Sequence, residues 1–101
     1  MLMTGMEENA KQVASLLKLL SNENRLLILC GLIKGSMSVG EIAKFVPKIG
    51  QSALSQHLSA LKAHGVLDFE KIGQQVIYSI AEERVVKVIE VLYEHYCRPK
   101  E

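Results

Sequence analysis

Ser52, Ser55, Gln56, Ser59 and Lys62 follow one another at helical spacing, and Leu54, Leu58 and Leu61 are interleaved with them. At 100° per residue the three leucines fall within about 60° of one another, and the polar set lies opposite. One side of such a helix joins a core. The other is small, polar and hydrogen-bonding. A merely solvated face would carry Glu and Lys in salt-bridging alternation, and serines are poorer helix formers than either. Small hydroxyls let a helix approach a phosphate backbone, and glutamine can pair bidentately with an adenine edge. The composition therefore suits a helix lying in a major groove. Charge supports this reading. Between Ile42 and Leu67 there is no Asp or Glu, while Lys44, Lys48, Lys62, His57 and His64 occur. The other nine basic residues face eleven acidic ones. A cationic segment on a mildly acidic chain implies an anionic partner that meets one face.

The other reactive groups are two thiols, Cys30 and Cys97, 67 residues apart. They form no C-x-x-C or other close ligand pair, and two cysteines do not make a secreted disulfide scaffold. Each has two readings. Cys30 ends the run Leu-Ile-Leu-Cys, either as a small buried apolar residue or as a thiolate favoured by Lys34 at i+4. Cys97 is either an idle thiol or one favoured by Arg98 and Lys100, although a helix C-terminus disfavours an anion. Thiols on neighbouring helices can be bridged by a disulfide, or by a longer sulfur chain where they stand too far apart. No Ser-His-acid order, Gly-rich phosphate loop or paired carboxylates stand out, so an enzyme is not expected. His95 beside Glu82, Glu83, Glu90 and Glu94 is a weak set for a transition metal, and neither metal nor cofactor is expected.

The elements that must position these groups are mostly helices. A chain of 101 residues is expected to be one domain, residues 1–101. Apolar residues make up 49% and aromatics 5%, so the core must be aliphatic and a disordered class is excluded. The longest apolar run, Leu26 to Cys30, is far too short to span a bilayer, and Met1 to Glu8 lacks the order of a signal peptide. A cytoplasmic location without a membrane partner is expected. Val13, Leu16, Leu17 and Leu20 give an amphipathic helix over Glu7 to Leu20, with Glu7 and Glu8 in its first turn. Ser21 and Asn22 break and cap, and Arg25 to Leu32 is apolar nearly all round. Ser38 with Glu41 matches a capping box for a short helix through Phe45, ended by Pro47 and Gly50. Helix Ser52 to Ala63 closes on His64 and Gly65. The period then becomes two: Leu67 and Phe69, a turn at Ile72-Gly73-Gln74, then Val76, Tyr78 and Ile80 form a two-stranded hairpin. Glu82 to Tyr96 returns to helix. The order is α-α-α-α-β-β-α, mainly α with a small β-hairpin.

The stretch Gln51-Ser52-Ala53-Leu54-Ser55-Gln56-His57-Leu58-Ser59-Ala60-Leu61, then Gly65-Val66-Leu67 and Gly73-Gln74-Gln75-Val76-Ile77-Tyr78-Ser79-Ile80, resembles the arsenic-repressor (ArsR/SmtB) family of winged helix-turn-helix regulators. The likeness runs in register from about Val13 to Cys97. It implies a homodimeric winged helix-turn-helix repressor that occupies double-stranded operator DNA, an imperfect palindrome, and lets go when an inducer binds. The family's Cys-x-Cys-x-x-Asp-like and Asp-x-His metal motifs are missing from this sequence. The cysteine pair is instead similar to the thiol-based branch, which responds to persulfides and other reactive sulfur. That likeness makes Cys30 and Cys97 the expected inducer thiols. On the pattern and the resemblance together, Lys44, Lys48, Gln51, Ser52, Ser55, Gln56, His57, Ser59 and Lys62 are expected to face DNA, with Lys71, Gln74 and Gln75 in the wing. His57 lies toward the edge of the polar face. The last helix carries more than one apolar side, so Val85, Val88, Ile89, Leu92, Tyr93 and Tyr96, with Val13, Leu16, Leu17 and Leu20, are expected to form the dimer interface. Two other readings remain at this level: a regulator or anti-silencer of the same fold that ignores sulfur, and a winged-helix module that binds protein.

Overall fold

The computed structural model describes residues 2–97, with side chains described over 5–96. The elements are α1 (Leu2–Leu20), α2 (Glu23–Leu32), β1 (Met37–Ser38), α3 (Val39–Ala43), α4 (Gln51–Ala63), β2 (Leu67–Ile72), β3 (Gln75–Ile80) and α5 (Glu83–Leu92), which continues into a π-helical turn over Tyr93–Cys97. No helix among the described residues is long and apolar enough to cross a membrane.

The expected breaks fall where side chains can satisfy helix ends. Asn22 adopts an extended backbone before α2, and its Oδ1 accepts from the N–H of Asn24 at 2.9 Å and of Arg25 at 3.1 Å. Ser38 and Glu41 form the capping box: Glu41 N–H donates to Ser38 Oγ at 3.2 Å, and Ser38 N–H to Glu41 Oε1 at 2.9 Å. Gly65, at φ 77°, turns the chain out of α4 in a conformation that a β-carbon disfavours.

The core is a cluster of aliphatic side chains around α2. Ile28, Leu29 and Leu32 pack with Leu19 and Leu20 of α1, Ile42 of α3, Leu54, Leu58 and Leu61 of α4, and Val85 and Ile89 of α5. An apolar surface nearly all round α2 would place the helix at the centre of the fold, but its burial is one-sided. Leu26 and Cys30 are half-buried and Leu27 is exposed, so that side of the helix fronts a cavity.

The hairpin pairs Leu67 with Ile80 and Ile72 with Gln75, closing on Gly73 at φ 64°. Ile72 is thus the last strand residue rather than the start of the turn. The hairpin is also not alone. β1 pairs antiparallel with β3, Met37 opposite Tyr78 and Ser38 opposite Ile77, to give a three-stranded sheet in the order β1-β3-β2. A two-residue strand is too short to print an alternating pattern on the sequence. Beyond Leu67 the residues of β2 are exposed, whereas residues 76–80 of the central strand β3 are half-buried, so β2 and the turn form the projecting part of the wing. Helix α1 begins well before Glu7, which puts Glu7 and Glu8 inside it rather than in its first turn. From Gly5 to Lys18 its described side chains are exposed, apart from the half-buried Leu16.

Candidate nucleic-acid interface and thiol pocket

On α4 the division expected from spacing is present in space. Leu54, Leu58 and Leu61 are buried, while Gln51, Ser52, Ser55, Gln56, Ser59 and Lys62 are exposed. Lys44 and Lys48 are exposed on the segment before α4, and Lys71, Gln74 and Gln75 are exposed at the tip of the wing. Lys62 leans toward the root of the wing. Its Nζ is 3.8 Å from Asp68 Oδ1 and 5.6 Å from the centre of the Phe69 ring. An exposed pair of this kind contributes little to stability.

His57 departs from the exposed face. It is half-buried, and its Nδ1 accepts a hydrogen bond from Arg25 Nε at 3.1 Å. Arg25 also donates from Nη1 to the carbonyl oxygen of Leu19 at 3.0 Å. One guanidinium thus joins the end of α1, the start of α2 and the middle of α4. Spacing along the chain assigns Arg25 no role. The available signal was a lone cation immediately before the apolar run Leu26 to Cys30, which demands a partner when it is drawn inside.

Cys30 lies on the wall of a cavity of about 410 Å³ with Leu26, Leu27, Phe45 and Tyr93, and with Glu23 and Lys34 also lining it. Gly31 lets the Phe45 ring lie against α2, since a β-carbon there would stand 3.0 Å from that ring. Tyr93 was expected at a dimer interface. It is half-buried here, with Lys34 Nζ 5.8 Å from its ring centre. Cys97 closes the π-helical turn that Tyr93 opens. The Cys97 side chain, Arg98 and Lys100 lie outside the described residues. His95 is exposed, and among the described residues no three His, Cys, Asp or Glu side chains gather as a metal site would require.

The expected dimer residues divide. Leu20, Val85 and Ile89 are 4%, 1% and 0% exposed and belong to the chain's own core, which removes them from any surface offered to a partner. Val13, Leu17, Val88 and Tyr96 are exposed, and Leu16 and Leu92 are half-buried. Val13, Leu16, Leu17 and Val88 line a groove of about 330 Å³ between α1 and α5.

A short helix α3, a polar-faced helix α4 and a β-hairpin wing, borne on an aliphatic helical core, define a winged helix-turn-helix domain. Residues 22–68 match the bacterial regulatory protein arsR family. Over 96 residues the chain is 40% identical to a biofilm growth-associated repressor of Agrobacterium fabrum, covering 95% of this chain and 81% of that protein. It is 41% identical over 93 residues to the transcriptional activator HlyU of Vibrio cholerae, covering 92% and 85%. The structure of reduced HlyU from Vibrio cholerae N16961 matches with a TM-score of 0.87 at 40% identity, over 93% of this chain and 98% of that one. A homodimeric winged helix-turn-helix DNA-binding domain, Mb0332 of Mycobacterium bovis, matches with a TM-score of 0.72 at 29% identity, over 90% and 91%. The chain belongs to the arsR family and is a DNA-binding transcriptional regulator.

The environment of His57 gives a pH dependence with a definite sign. Burial first, and the Arg25 guanidinium second, lower its pKa below the ordinary value of 6.5. The unfolded chain therefore takes up this proton before the native protein does. The stability that the neutral ring contributes is complete above pH 6.5 and is lost as pH falls through the native pKa. Histidine NMR should place the His57 midpoint below 6.5, and the urea midpoint should fall on acidification in the parent more than in His57→Gln. A His57 midpoint at or above 6.5 contradicts this account.

Proposed function

We propose that this chain is a homodimeric, operator-binding regulator whose hold on DNA is released when reactive sulfur bridges Cys30 and Cys97. The reading of DNA falls to the exposed face of α4, with Gln51, Ser52, Ser55, Gln56 and Ser59 toward the groove. Lys44, Lys48 and Lys62 reach phosphates, and Lys71, Gln74 and Gln75 of the wing meet the flanking backbone. His57, held by Arg25, supports this face from behind. Serines bring the helix axis close to the duplex, and Gln56 offers the paired donor and acceptor that an adenine edge requires.

Dimerisation supplies the second reading head. Exposed apolar residues on α1 and α5, Val13, Leu17 and Val88, leave a surface that a small monomer does not cover for itself. A two-fold axis through it would set the two α4 helices for half-sites one helical turn apart, about 34 Å. The homodimeric Mycobacterium bovis relative supports this assembly.

The observation that carries the sulfur reading is the cavity beside Cys30, which Tyr93 also lines at the start of the turn that ends in Cys97. The chemistry balances with an organic trisulfide as oxidant. The Cys30 thiolate attacks the central sulfur and expels one organic thiolate, leaving a mixed trisulfide. Cys97 attacks the same central sulfur and expels the second. The protein gains one sulfur and loses two protons to the departing thiolates, which are the reduced products. Cys30 shares α2 with the side chains that seat α4, and Cys97 ends the helical segment that carries Val88. A bond between them biases the relative placement of core and dimer contact. An equilibrium poised between two such arrangements needs only a few kcal/mol to tip.

In operator gel-shift assays, Lys62→Ala should weaken binding to every sequence and shallow the salt slope by about one. Gln56→Ala should alter base preference at a cost of about 1 to 3 kcal/mol. Unchanged affinity in a Ser55→Ala, Gln56→Ala double mutant would remove α4 as the reading helix. Leu17→Glu and Val88→Glu alter side chains that are 55% and 40% exposed, so each should leave the fold intact by circular dichroism while shifting sedimentation toward monomer. A mutant that remains a dimer refutes this interface. With trisulfide, the parent should leave the operator and gain a sulfur between the Cys30 and Cys97 peptides, whereas Cys30→Ser and Cys97→Ser should stay bound. Normal release of either single mutant would leave a regulator that acts without a sulfur signal.

A further inference from the structure

We infer that Arg25 and His57 are positioning residues for DNA binding: by holding the Leu19 carbonyl and the His57 imidazole together, Arg25 sets the angle at which α4 presents its polar face. This rests on the assignment of α4 as the reading helix.

The geometry is specific. Arg25 Nε donates to His57 Nδ1 at 3.1 Å, and Arg25 Nη1 donates to the Leu19 oxygen at 3.0 Å. The two acceptors lie on different helices, so the planar guanidinium works as a fixed strut rather than a swinging charge. The leucines of α4 hold the helix against the core, but aliphatic contacts tolerate small rotations. A directional hydrogen bond from the opposite element resists them. The bond needs the lone pair on Nδ1, which places the ring proton on Nε2 and requires a neutral imidazole.

The electrostatic surroundings favour this assignment. The charge acting on the ring is Arg25, in α2. Glu23 of the same helix lines the Cys30 cavity instead. From α1 the contact reaches the strut through the Leu19 carbonyl, and Lys18 is exposed. On α4 itself, Lys62 is drawn to Asp68. Protonating His57 therefore sets two cations against each other across a former hydrogen bond, and α4 loses its strut.

This role and a direct contact between His57 and phosphate predict opposite responses to acid. A histidine on phosphate binds DNA more tightly once charged. A histidine that seats the helix through Arg25 binds it less tightly. The test uses the full chain in a His64→Gln, His95→Gln background, which leaves His57 as the remaining one of the three histidines. Operator affinity is measured between pH 5.5 and 7.5 at fixed salt. The expected result is a roughly fivefold loss on acidification, the size of one hydrogen bond. At pH 7.5, His57→Ala should lose a similar factor. His57→Gln, whose amide oxygen can accept from Arg25, should recover most of that loss and bind without the pH dependence. Arg25→Lys keeps a charge but not the two-pronged geometry, and should lower affinity while circular dichroism stays native.

Tighter binding at low pH in the background protein would overturn the inference, as would an Arg25→Lys pH profile and affinity equal to the background's. If the Ser55→Ala, Gln56→Ala double mutant retains full affinity, the reading-helix assignment itself has failed. That outcome differs from retained dependence on Ser55 and Gln56 with no effect of Arg25 or His57, which overturns the positioning role alone.

Discussion

The structure depends on one ten-residue helix, α2, whose two sides face different environments. Ile28, Leu29 and Leu32 are sealed among aliphatic residues of the surrounding helices, and Leu26, Leu27 and Cys30 turn toward a cavity. The fully buried residues of this core are all aliphatic, and rings such as Phe45 and Tyr78 pack only at its margin. Close packing must come from many branched side chains in register. Each functional part is fixed by reference to this helix. The leucines of α4 rest on the core around it, Val85 and Ile89 bring α5 to the same cluster, and Arg25 extends the registry to polar atoms.

The distribution of charge complements that arrangement. The ion pairs Lys62 with Asp68 and Arg84 with Glu82 are exposed, and exposed pairs contribute little to stability. Cohesion therefore comes from apolar burial and from directed hydrogen bonds at helix ends. On the proposed reading, Lys62 exchanges its weak partner Asp68 for a phosphate without loosening the fold. The Phe69 and Tyr78 rings, 5.4 Å apart across the hairpin, link the exposed β2 to β3, whose Tyr78 and Ile80 pack against the core.

Relatives with nearly equal similarity to this chain bear opposite descriptions, a repressor and an activator. Winged helix-turn-helix geometry specifies how a protein meets DNA. The sign of the response does not follow from the fold. Fold and regulatory sign are separate quantities, and the residues of α4 and the wing bear on the first.

The sequence by itself determined every feature that depends on near neighbours in the chain. Three leucines at helical spacing gave the buried side of α4, Asn22 and the Ser38–Glu41 pair gave two helix starts, and Gly65 and Gly73 marked a cap and a turn, because period and capping act over a few residues. Only the tertiary structure decided features in which residues distant in sequence compete for the same space. It placed the two residues of β1 against β3, too short a strand to show a period. It assigned Leu20, Val85 and Ile89 to the core rather than to a partner's surface, a division that an apolar stripe alone does not record. It brought Tyr93 to the cavity of Cys30 and gave His57 to Arg25, 32 positions away. Spacing reveals which side of a helix a residue occupies; what stands opposite that side is settled by the packing of the other helices.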